Sequence, residues 1–137
     1  MTLQPILAAS WAVQAHVATL VLALLVGTWQ FAVTRNGSAA HRTLGRMFLM
    51  LMVTTAVVAA FIRVRPPHSP YLGLSWFHLF VPLVLGLCGM AFYGATTHRV
   101  SVHRFAAINL YFGSLLFTGA VQVFLARGIT HQIFFSR

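Results

Sequence analysis

The sequence contains no aspartate, no glutamate and no lysine, and all of its +9 formal charge is arginine. Without carboxylates there is no paired-carboxylate acid/base chemistry, no carboxylate-held Mg²⁺ or Ca²⁺ and no Ser-His-Asp triad. A single cysteine, Cys88, excludes an internal disulfide and any CxxC site. Charged residues make up 7%, whereas a soluble domain carries roughly 25%. Apolar residues make up 59%, and the mean hydropathy is +0.85. Such a chain cannot dress a water-facing surface. It reads as an all-α integral membrane protein, one transmembrane domain over residues 1–137. The pI near 11.9 does not point to nucleic acid. The arginines sit in short gaps between apolar runs, where anionic lipids of the bilayer are the natural partner.

A helix crosses the hydrocarbon core with about 20 apolar residues. Four runs qualify: Trp11–Val33, Leu44–Ile62, Leu72–Tyr93 and Phe105–Leu125. Turn signals separate them, among them Arg35-Asn36-Gly37-Ser38 and the proline-rich stretch from Pro66 to Pro70. The first run lacks a basic flank and a small-residue cleavage site, so it reads as a span and not as a signal peptide. Pro82 is expected to kink the third span. Arg35, Arg42, Arg46, Arg99 and Arg104 fall on one side, and Arg63, Arg65, Arg127 and Arg137 on the other. The first span has no charge before it and three arginines after it. The positive-inside rule then places both termini outside, periplasmic for a bacterial inner membrane.

The chain also copies itself. At an offset of 62 residues His16 aligns with His78, His41-Arg42 with His103-Arg104, Gly27 with Gly89 and Thr34 with Thr96, without a gap. Apolar matches carry little information here, but two histidines and a His-Arg dipeptide in one register do. The expectation is two tandem parallel repeats of two helices, about 11–63 and 72–125, in an up-down-up-down bundle. Helices 1 and 3 are then diagonal partners, as are helices 2 and 4. His16 and His78 share a depth of roughly 9 Å from the membrane centre. His41 and His103 lie just before helices 2 and 4, at the inner face.

Two neutral imidazoles facing each other suit a low-spin haem iron, which takes axial nitrogen ligands on opposite faces of a flat macrocycle. One haem b on His16 and His78 is expected, and a second on His41 and His103 is the further candidate. Ala56, Ala59, Ala60, Gly119 and Ala120 would leave a slot at the outer pair. Arg42 and Arg104 at the inner face, with Arg63, Arg65 and Arg127 at the outer, are candidate partners for haem propionates. The competing reading makes each histidine a hydrogen-bonded tie between helices. His68, His98 and His131 have no repeat partner. Met47, Met50 and Met52 read as packing and not as a copper site.

These pieces are where a family likeness enters: Gln14-Ala15-His16, the run His41-Arg42-Thr43-Leu44-Gly45-Arg46-Met47, Phe77-His78-Leu79, and His103-Arg104 with Tyr111. The pattern resembles the bacterial predicted-membrane-protein family called domain of unknown function 2306, over nearly the whole chain. The resemblance implies four helices and marks the four histidines, and it implies no activity. The chain departs from the family in Val57-Val58-Ala59, where members tend to carry serine, and in Leu125-Ala126-Arg127-Gly128, where they tend to carry Pro-Gly-Arg. The placement of histidines is also similar to that of transmembrane b-type cytochromes, by architecture alone.

Three functions compete. The first is a bis-histidine haem b protein passing electrons to or from a quinone or another redox partner. The second is a non-catalytic accessory or assembly subunit of a larger membrane complex. The third is a transporter, which the lack of intramembrane carboxylates disfavours. Whether the protein is an enzyme is left open by the sequence.

Overall fold

The computed structural model describes residues 8–63 and 76–124. Four helical segments there are long and apolar enough to cross a membrane: Trp11–Val33, Ala39–Ala59, Phe77–Thr96 and Val100–Val121. Helix α1 is Trp11–Val33 and α2 is Ala39–Ala59. A 3₁₀ turn, Trp76–Leu79, leads into α3, Phe80–Thr96. The fourth span begins as α4, Val100–Ile108, passes through a π-helix at Asn109–Phe117 and ends as α5, Thr118–Phe124.

Two helices, α2 and α4, start five residues earlier than hydropathy alone places them, while α1 starts at Trp11 as expected. The Ser38 side chain accepts the His41 N–H and caps α2. His41 therefore lies in the first turn of α2, and His103 likewise in the first turn of α4, not ahead of them. Pro82 falls in the first turn of α3, where a missing N–H costs nothing. It follows the 3₁₀ turn at the start of the span instead of kinking its interior.

Neighbours pack in a closed ring: α1 on α2, α2 on α3, α3 on α4, and the π segment back on α1. Small core residues let the helices approach, with Ala23, Ala91 and Ala106 fully buried beside Phe48, Met52 and Leu110. The exterior is the reverse of a soluble protein's. Met50 is 71% exposed, Phe117 65% and Leu25 62%, which only a lipid surround tolerates.

The π segment serves one contact. Polar side chains bond carbonyls at both of its ends, Asn109 Nδ2 to Phe105 at 2.8 Å and Thr118 Oγ1 to Gly113 at 3.4 Å. Its wider turn buries the adjacent Leu110 and Tyr111 together. The Tyr111 ring lies over Gly27 of α1, where any β-carbon would come within 2.7 Å of it. Thr28 Oγ1 donates to the Leu24 carbonyl, so Tyr111 donates to Thr28 Oγ1, at 2.7 Å. Tyr111→Phe and Thr28→Val should show a coupling of about 0.6 kcal/mol in a double-mutant cycle, the usual size inside a membrane. Unfolding in detergent micelles measures it, and additive effects would mean that the bond contributes nothing.

Candidate functional site

One end of the bundle, labelled inner after the side expected from the arginine bias, gathers the end of α1 and of α3 with the starts of α2 and α4. Here the His41 and His103 rings meet, centroids 6.2 Å apart and planes at 78°. First-turn residues of α2 and α4 in ring contact place both helix starts at the same end of the bundle.

Each imidazole is held from behind through Nδ1. His103 Nδ1 donates to the Ala91 carbonyl of α3 at 2.8 Å. His41 Nδ1 faces Thr34 Oγ1 at 3.5 Å, a long contact. That hydroxyl donates to the Gln30 carbonyl at 2.6 Å, leaving its lone pairs toward the ring. A proton fixed on Nδ1 leaves Nε2 as the ring's Lewis base, and a backbone carbonyl on the far nitrogen is the usual way a metal-binding histidine is oriented.

Gln30 is the residue that sequence reasoning missed. Its side chain sits against Gly45, one turn along α2 from His41. The residue is 8% exposed, and its Oε1 is buried without a hydrogen-bond partner. The signal was in plain sight, since an amide inside an apolar run is a functional candidate by default.

The outer histidines are placed differently. His16 Nδ1 donates to the Thr55 carbonyl of α2 at 3.1 Å, beside a Thr55-to-Thr19 hydroxyl bond of 2.7 Å. His78 Nε2 lies 2.9 Å from the Ile62 carbonyl. Both residues thus bond the second helical segment or its exit, at carbonyls seven residues apart in the chain, and through different ring nitrogens. The structure brings His41 and His103 into ring contact and ties His16 and His78 to backbone.

The inner arginines follow their histidines directly. Arg42 donates to the Gly37 carbonyl at 2.7 Å, and Arg104 is exposed. Arg63 is exposed at the other end. His98 lies in the turn between α3 and α4 with a left-handed φ of 57°. Arg65, Arg127, His68 and His131 fall outside the described residues. Among the described residues no three His, Cys, Asp or Glu side chains gather as a metal cage.

The family model described as "Predicted membrane protein (DUF2306)" matches residues 13–135. The chain is a member of that family of membrane proteins. No curated protein and no solved structure matches it.

Proposed function

We propose that this protein is a small b-type haem carrier of the membrane, with His41 and His103 as axial ligands, exchanging electrons with a lipid-soluble quinone or another redox partner. The observation that supports the reading is the ring pair. With metal–nitrogen bonds of about 2.0 Å and roughly 1.1 Å from ring nitrogen to ring centre, two collinear imidazoles on one metal put their centroids about 6.2 Å apart. The observed 6.2 Å is compatible with that span, and equally with a plain edge-on contact between the rings.

The donor set also fits haem better than a bare ion. Among the described residues no third His, Cys, Asp or Glu joins the two imidazoles, so a bare ion there would leave its other positions to water. A porphyrin brings the remaining four nitrogens itself. Arg42 and Arg104, one residue after each histidine, are the cations nearest in sequence for its carboxylates. Bound there, the group would supply one-electron exchange. The protein's own residues would orient the imidazoles through Ala91 and Thr34.

The outer histidines, each on a backbone carbonyl of the α1–α2 unit, fit the role of interhelical ties. Oxidised and reduced absorption spectra of the protein, purified in mild detergent from haem-replete cells, test the assignment. A Soret band that shifts on reduction is the expected result. A colourless preparation ends the proposal, and co-purification with a large membrane complex would then favour the accessory-subunit reading.

A further inference from the structure

A second feature lies away from the histidines. Between α2 and α3 a groove of about 420 Å³ opens on the lateral surface of the bundle, lined by Leu49, Met50, Val53 and Thr54 from one side and Leu85, Cys88, Gly89 and Phe92 from the other. Its walls are almost wholly apolar. Gly89 lies in it with no atom within 4 Å of where a β-carbon would sit. A slot of this kind on a membrane-facing surface takes a chain of methylenes.

The groove leads toward charge. On α2 the groove residue Met50 is followed inward by Arg46, one turn away and about 40° around the helix, so the two are neighbours on its surface. Side chains on a helix lean toward its N-terminus, which here is the inner end. Arg46 therefore reaches from the groove's mouth toward the inner interface, and it is exposed. Across from it α3 ends at Thr96, and Arg99 follows with its guanidinium 5.6 Å from the Tyr93 ring centre. The chain has no aspartate or glutamate to answer these cations. An unanswered guanidinium at the hydrocarbon boundary is unfavourable unless an anion comes to it.

We infer that the α2–α3 groove is a binding site for one anionic diacyl phospholipid, an acyl chain in the slot and the phosphate on Arg46, with Arg99 as the second cation. The observation behind it is the continuity of an apolar slot with Arg46 at its inner end. The site is independent of the haem reading, since none of its lining residues is a histidine.

The test uses delipidated full-length protein in detergent, titrated with phosphatidylglycerol and with phosphatidylcholine of the same acyl chains, read by native mass spectrometry. Phosphatidylglycerol is expected to form a one-to-one adduct in preference to phosphatidylcholine. Arg46→Gln should weaken phosphatidylglycerol by about fivefold, the ratio for one arginine near an anionic lipid surface, and leave phosphatidylcholine unchanged. Gly89→Leu fills the slot without touching the arginines and should weaken both lipids. A photoreactive acyl chain should label the peptides spanning 49–54 and 85–92. Equal binding of the two lipids, labelling elsewhere, or a groove closed by a second copy of the chain in the native spectrum would each overturn the inference.

Discussion

A single methyl group at position 94 is expected to wedge the third span off the fourth. Gly94 packs on the first turns of α4, and a β-carbon there would sit 2.5 Å from the backbone nitrogen of His103, 2.9 Å from its Cα and 3.0 Å from the Arg99 carbonyl. These are backbone atoms, so no rotamer change relieves the clash. Gly94→Ala should therefore lose about 2–3 kcal/mol, the upper range for overpacking a close helix contact. Gly89→Ala is the control, because its β-carbon meets nothing within 4 Å, and alanine favours helix over glycine by about 1 kcal/mol. Thermal unfolding of the two variants in the same detergent decides the matter. Equal melting temperatures would mean that α3 and α4 do not approach as closely as described. The substitution also reaches the ring pair, since it moves the residue that carries one of the two imidazoles.

The second large effect concerns those imidazoles. On the haem reading proposed above, His41→Ala and His103→Ala should each abolish the bis-histidine spectrum, because each would remove one of the two nitrogens that would hold the iron. His16→Ala removes the bond to the Thr55 carbonyl together with the packing of a part-buried ring. It should cost about 0.6–1.7 kcal/mol of stability and leave the Soret band in place. The opposite pattern, a spectrum lost with His16 or His78 and kept without His41, would move the site to the outer end of the bundle. Helical circular dichroism on each variant separates loss of ligand from loss of fold.

The fold was legible because lipid imposes one strong rule: a backbone that cannot meet water must bond to itself, and apolar runs of the right length announce where it does so. The four spans follow from Trp11–Val33 and its three successors. Their ends do not, since Ser38 caps an α2 that begins at Ala39, five residues before the apolar run starts. The four histidines were legible from the internal copy. Which of them meet was not, because the braces leave no mark in the sequence: His103 is held by a backbone carbonyl that any residue at position 91 would supply, whereas His41 faces Thr34, whose copy Thr96 bonds the Phe92 carbonyl as Thr34 bonds that of Gln30 and has no bond to His103 among those described. The two halves thus brace equivalent imidazoles with different chemistry, and a one-dimensional pattern records the imidazole without the brace. The π segment carries no periodic mark at all, and the close approach of Tyr111 to Gly27 depends on it.

That segment also alters the phase of everything beyond it. A π-helix turns less per residue than an α-helix, so nine residues of it let the far end lag by roughly half a revolution. A wheel drawn straight through the fourth span therefore assigns Gly119 and Ala120 to the wrong azimuth, and a slot inferred from such a wheel sits on the opposite side of the rod. Deleting one residue between Asn109 and Phe117 would relax the coil and swing the C-terminal turns around, so the length of this stretch is as tightly constrained as any side chain in it.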